Sequence, residues 1–410
     1  MKQKLSALIT VLFLLSGCGA EPPEGAMTLP PTLPPEATQA PTLPPETEPQ
    51  PTLSPGEKIL AAMTLREKVG QLFLVRPDSL DLSLSPEAID DPNSSGVTSL
   101  NPELRDALEE YPVGGFVLFS KNIQSPDQVL NFNISLRDAT RIPPFISVDE
   151  EGGAVARLAN APGFDLIRYR SAGAVGSEAG PEGAYGMGKH IGTYLKDYGF
   201  NMDFAPVADV NTNPQNPVIG TRAFSSDPEL AAQCAGAMAQ GLTEAGIIPV
   251  YKHFPGHGDT AQDSHKGLAV SYKTIDDLLA CEWIPFRQAT DRNCIMVGHI
   301  ALPEVTGDMT PATLSYSIVS GLLRQHLGFQ GLIITDSLSM GAITQDRDPA
   351  QAAVDALSAG CDLLLMPQSL PQAFEGVLSA LESGSLTQDQ LDDTVLRILN
   401  FKLDHGILKP

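Results

Sequence analysis

The chain has 410 residues, with 49 acidic and 26 basic side chains and a net charge of −23. That balance argues against a nucleic-acid partner and against adsorption to an anionic membrane. Its five cysteines lack the paired spacing of a metal site, and no glycine-rich nucleotide fingerprint stands in a fitting place.

The N-terminus reads as an export signal. Lys2 and Lys4 precede an apolar run over residues 5–15, shorter than the roughly 20 residues that span a bilayer. Leu15-Ser16-Gly17-Cys18 resembles a bacterial lipobox. The resemblance implies a signal peptide over 1–17, cleavage before Cys18 and lipidation of that cysteine. The expected location is extracytoplasmic, lipid-anchored at the cell surface, with the lipid as the only membrane contact. Residues 18–55 form a proline-rich tether: Thr-Leu-Pro-Pro begins at Thr28, Thr32 and Thr42, and Thr-Leu-Ser-Pro at Thr52. Such repeats favour extended polyproline II and offer little apolar surface to bury.

Residues 56–410 make the folded part, a length usual for an α/β barrel. Eight short apolar runs predict strands at 71–75, 115–119, 145–148, 202–207, 247–251, 294–297, 332–335 and 362–366. Most are apolar throughout, as strands buried on both faces are. Helix-like segments at 227–245, 275–289 and 349–359 lie between them. The alternation and the count of eight predict a single (β/α)8 barrel domain. Residues 76–111 read as a long insertion after the first strand. Cys234, Cys281, Cys294 and Cys361 read as buried free thiols.

The stretch from Lys252 to His265, KHFPGHGDTAQDSH, holds three of the seven histidines. Pro255, Gly256 and Gly258 break helix and strand alike, so it reads as a polar loop leaving the fifth strand. Asp263 and His265 are two apart, near enough for a carboxylate to orient an imidazole. By spacing alone, His253, His257, Asp259, Asp263 and His265 also make a metal-ligand set.

Catalytic groups of such a barrel project from the C-terminal ends of its strands. There the sequence places Asp149-Glu150-Glu151-Gly152-Gly153 and Arg157 after the third strand, and Asp209 and Arg222 after the fourth. Lys252 and His253 follow the fifth, His299 the sixth and Asp336 the seventh. Carboxylates, arginines, a lysine and histidines on one face suit recognition of a hydroxyl-rich sugar.

Four motifs, DEEGGAVAR, NPVIGTRAF, KHFPGHGDTAQDSH and IITDSLSMGAI, resemble those of glycoside hydrolase family 3 in its β-N-acetylglucosaminidase branch. Lesser motifs at 65–72 and 114–123 extend the likeness over 64–408. The resemblance implies retaining hydrolysis through a glycosyl-aspartate intermediate, without metal or cofactor. It makes Asp336 the nucleophile and His265, oriented by Asp263, the general acid/base. Asp149, Arg157, Arg222, Lys252 and His253 would bind the non-reducing sugar. Other branches place a carboxylic acid in a further domain, for which this chain shows no room, so the Asp-Ser-His loop is expected to supply the acid. Ala269 and Gly298 depart from the branch, which has proline and alanine there. The expected substrate is a terminal N-acetylglucosamine of a peptidoglycan fragment, then of a chitin oligosaccharide, and a monomer is expected. Phosphorolysis on the same fold, sugar binding without turnover, and a metal hydrolase are the rival readings.

Overall fold

The structure is a computed structural model that describes residues 53–264 and 266–410. The signal peptide, nearly all of the tether, Cys18 and His265 therefore lie outside the described residues. Eight strands pair in parallel: Phe73–Val75, Gly115–Leu118, Phe145–Val148, Met202–Asp203, Ile248–Phe254, Cys294–Val297, Leu332–Thr335 and Leu364–Leu365. The first pairs with the eighth through Phe73 and Leu364. A parallel bridge from Ile334 to Leu363 joins the eighth to the seventh, so the sheet closes on itself. This is the (β/α)8 barrel that the alternating apolar runs predict.

Three strands match their predicted bounds, at 145–148, 294–297 and 332–335, and the helix Pro349–Ala359 does too. Other expectations are corrected. The helix-like segment 275–289 divides into a helix at Ile275–Ala280 and a separate 3-10 turn at Pro285–Gln288. The fifth strand runs on through Lys252 and His253 to Phe254, and Val207 bridges to Lys252, so the polar residues at the start of the loop sit on the strand. Polar side chains hid this continuation, because a strand end that faces a cavity does not read as apolar. Residues 76–111 are also only partly an insertion. The helix Pro102–Glu110 packs Leu104, Ala107 and Leu108 into the core and belongs to the first strand–helix unit. All four described cysteines are free, but Cys281 is only half-buried.

Helix starts follow capping chemistry. Thr64 and Glu67, Thr274 and Asp277, and Thr387 and Gln390 each form a reciprocal capping box, which satisfies donors that the first turn leaves unpaired. Among the described residues no helix is long and apolar enough to cross a membrane.

The end of the barrel away from the strand C-termini is plugged by Lys402, which is fully buried. Its ammonium donates to Gln71 Oε1 at 2.8 Å and Gly114 O at 3.0 Å and lies 4.7 Å over the Phe145 ring. These partners are neutral, and burial pushes the ammonium down from 10.5 to about 7. Between those two values the unfolded chain binds the proton and the folded chain does not, so this group makes stability rise with pH across that window. Urea unfolding at pH 7 and pH 9 should show wild type gaining on Lys402→Met by up to about 1.4 kcal/mol per pH unit. An unchanged difference would remove the buried, neutral-prone lysine from this account.

Candidate active site

The site is built where the strands end. Asp149 follows the third strand and opens a hairpin of Glu150–Gly152 against Val155–Ala156. Extended backbone sends alternate side chains to opposite faces. Asp149 and Glu151 therefore face the barrel mouth, and Glu150 turns away. Glu150 accepts the amides of Leu158 and Ala159 at 2.8 and 2.9 Å and the Tyr194 hydroxyl at 2.7 Å. Its own amide donates to Asp203 Oδ1 at 2.9 Å. The middle acid of the triplet is thus an anchor.

Lys252 reaches across from the fifth strand. Its ammonium lies 2.6 Å from Asp149 Oδ1 and 2.6 Å from Glu151 Oε1. Arg222, on the turn Gly220–Arg222, grips Glu151 with two parallel bonds of 2.8 and 2.7 Å. Arg157 lies 3.5 Å from Asp149 Oδ2. Burial alone would raise both carboxyls. The Lys252 and Arg222 charges outweigh it and hold Glu151 at about 2, and Lys252 and Arg157 keep Asp149 below its ordinary value. Burial would lower Lys252, but the two carboxylates raise it instead. The cluster is therefore fully ionised at neutral pH.

Asp209, after the fourth strand, is completely buried and holds the start of the glycine-rich loop. It accepts the His253 amide at 3.2 Å, His253 Nδ1 at 2.7 Å and the His257 amide at 2.6 Å. Asn216 clamps the same loop, donating to His257 O at 2.7 Å and Thr260 O at 2.9 Å. Its Oδ1 accepts the amides of Val218 and Ile219, which sets the turn that carries Arg222. Gly258 is required here, because a Cβ would come within 1.7 Å of Val210 O. Gly298, the departure beside His299, removes a methyl that would stand 3.2 Å from His253 Cβ.

Just after the seventh strand, the Asp336 amide donates to Val297 O at 2.9 Å and its Oδ1 accepts the Ser337 amide at 2.7 Å. Buried His299 lies with Nε2 2.8 Å from Ser337 O and Nδ1 2.9 Å from Thr313 Oγ1. It ties the end of the sixth strand to the residue after Asp336.

Asp149, Arg157, Arg222, Lys252, His253 and Asp336 all line one cavity of about 430 Å³. Six predicted residues from four strand ends thus converge. Asp263 lies on the loop beside them, with Lys266 Nζ 3.6 Å from its carboxylate, and Ser264 lines the cavity. Among the described residues no three His, Cys, Asp or Glu side chains converge as a ligand set. His257 has Thr260 Oγ1 at 2.6 Å from Nδ1 and Ser264 Oγ at 3.0 Å from Nε2, and Asp259 turns toward Lys273 at 3.8 Å.

Glu151, Asp209, Arg76 and Asp90 are among the cavity and support residues that had no assigned role in the sequence reading. Glu151 and Asp209 stand in the motif regions, and the strand period could have marked Glu151 as a partner of Asp149. Arg76 and Asp90 line the cavity from the segment after the first strand, where no periodicity points to them.

The profile of the glycosyl hydrolase family 3 N terminal domain matches residues 64–401. The chain belongs to glycosyl hydrolase family 3. Beta-hexosaminidase A of Pseudoalteromonas piscicida is 34% identical over 335 residues, 75% of this chain and 56% of that protein. Beta-hexosaminidase LpqI of Mycobacterium tuberculosis is 36% identical over 325 residues, 73% of this chain and 79% of that protein. A solved family 3 β-N-acetylglucosaminidase from Paenibacillus sp. FPU-7 superposes with a TM-score of 0.76 at 34% identity, covering 84% of this chain and 63% of that one. This family 3 chain thus spans little more than half of the Pseudoalteromonas relative.

Glu151→Gln keeps the shape of the cluster and removes the charge between two cations. Breaking such a buried pair costs about 3–5 kcal/mol at neutral pH. Because the folded carboxyl sits near 2 against an ordinary 4.5, its stabilisation is complete above 4.5 and is lost as pH falls toward 2. Unfolding curves of wild type and variant should converge over that acid window. Parallel curves would contradict the assignment.

Proposed function

We propose that the chain is a retaining exo-β-N-acetylglucosaminidase that removes terminal non-reducing N-acetylglucosamine from peptidoglycan fragments or chitin-type oligosaccharides. The observation that carries this is that Asp336 and the Asp149–Lys252–Glu151–Arg222 cluster line one small cavity. At about 430 Å³ the cavity lies near the small end of the roughly 300–1,000 Å³ usual for ligand pockets. An ionised, hydrogen-bonding wall suits the hydroxyls of one sugar ring. The names of the relatives support the sugar and the bond.

In this mechanism the Asp336 carboxylate attacks the anomeric carbon while His265 gives a proton to the departing oxygen. The sugar is then held as an ester on Asp336. His265, now neutral, takes a proton from water, which attacks the same carbon and releases the sugar with its configuration retained. Asp263 orients the imidazole and stabilises its charged form. The fixed charges of Lys252, Arg222 and Arg157 place the ring before reaction, so little reorganisation is needed.

Asp336→Asn should lose at least several kcal/mol of transition-state stabilisation on aryl β-N-acetylglucosaminides. His265→Ala should cleave an activated phenyl glycoside far better than a disaccharide, and azide should speed its turnover and give the β-glycosyl azide. Near-normal activity in the first variant, or equal loss on all substrates without azide rescue in the second, would remove that residue from its role. Running the wild type with added phosphate separates free sugar from sugar phosphate as product.

The same reading anchors the enzyme outside the cytoplasm through Cys18. Cys18→Ser should leave the membrane fraction while the aryl-glycoside activity persists. Unchanged membrane association would rule out the lipid anchor.

A further inference from the structure

We infer that Asp90 is a specificity-determining residue that tunes the cavity toward a neutral sugar beside the terminal one and against a sugar that carries a carboxylate. The inference rests on the activity proposed above and chooses between its two substrates: it favours the chitin-type oligosaccharide over the peptidoglycan fragment, whose next sugar carries a lactyl carboxylate.

Asp90 ends the short helix Pro86–Asp90 in the segment after the first strand. That segment is fastened from beneath. Buried Asp78 accepts Asn122 Nδ2 at 2.7 Å and the Val97 amide at 3.1 Å. The Lys121 ammonium, also buried, donates to Ile89 O at 2.7 Å and Ser94 Oγ at 3.1 Å. It meets the carbonyls that the end of the helix leaves unpaired. Asp90 is thereby held at the cavity by a hydrogen-bonded segment.

Its carboxylate pairs with Arg76 and accepts the Ser339 hydroxyl at 3.2 Å. Ser339 stands three residues beyond Asp336 on the same loop. The contact bridges the rim from the first strand to the seventh, above the end of the eighth. Arg76 lies beneath, its guanidinium 5.2 Å from the Phe119 ring centre, with Arg157 5.1 Å from the same ring. The sugar-binding arginine and Arg76 thus share one aromatic ring, and the polar site continues outward through it.

Exposure gives the direction. The Lys252 and Glu151 side chains are each 2% exposed and Asp90 is 38% exposed. In an exo-acting site the buried end receives the terminal sugar, so the exposed acid meets the remainder of the chain. Charge gives the preference. Among the described residues four basic and four acidic side chains of Arg, Lys, Asp and Glu line the cavity. Asp90 is the exposed one of those acids that pairs with Arg76. With Asp90 present, a carboxylate on the neighbouring sugar finds its guanidinium taken and faces a like charge.

The test compares two disaccharides with a terminal N-acetylglucosamine. One is N,N′-diacetylchitobiose. The other bears a lactyl ether carboxylate on its reducing sugar. Calorimetry in the Asp336→Asn background measures binding without turnover. The parent should bind the neutral disaccharide more tightly, and Asp90→Asn should shift the ratio toward the carboxylate by about tenfold at low salt, less at high salt. Asp90→Glu, which keeps the charge, should keep the parent ratio. Equal weakening of both ligands by Asp90→Asn, or a parent that prefers the carboxylate, would overturn the inference. The second outcome is readable even if the variant does not fold. Failure of wild type to cleave an aryl β-N-acetylglucosaminide, with disaccharide binding intact, would defeat the proposed activity and leave the binding preference to stand or fall separately.

Discussion

The site depends on one buried ammonium. Lys252 leaves the fifth strand and sits between Asp149 and Glu151, residues 103 and 101 positions earlier in the chain. A lysine desolvated without counterions would lose its proton, and two carboxylates so close would not both ionise. Together, with Arg222 on the far side of Glu151, each keeps the others charged. Such a cluster adds little net stability, because desolvation offsets most of the attraction. What it provides is geometry: fixed charges at fixed places before a ligand arrives.

Everything behind the cluster serves that placement. Glu150 points away from the cavity and fastens the hairpin to the helical layer through Tyr194. Asp209 and Asn216 receive or supply five bonds to the loop from His253 to Thr260. The loop that carries Asp263 and Ser264 therefore starts from a braced base. His299 does for Ser337 what Asp209 does for His253, linking neighbouring strand ends through a buried imidazole. These supports are buried polar groups, and each is worth most when its partners are all present.

Much of this was legible in the chain. The eight apolar runs, their order and the clustering of ionisable residues behind them are local patterns, and local patterns follow from strand and helix periods. The residue types also carry their chemistry openly: a carboxylate after the seventh strand, and a histidine with an aspartate two residues before it. Two readings failed for a common reason. The continuation of the fifth strand through His253 and the helix Pro102–Glu110 inside the expected insertion both depend on what the chain packs against.

The sequence by itself determined the barrel, the family motifs and six residues that meet in one cavity, because strand ends of a closed parallel barrel share one face. The tertiary structure alone decided that Glu150 anchors the hairpin through Tyr194, that Lys402 seals the opposite end, and that Asp90 stands at the rim. Ser339 and Asp90 are 249 residues apart. No window along the chain contains both, and only closure of the barrel brings them together.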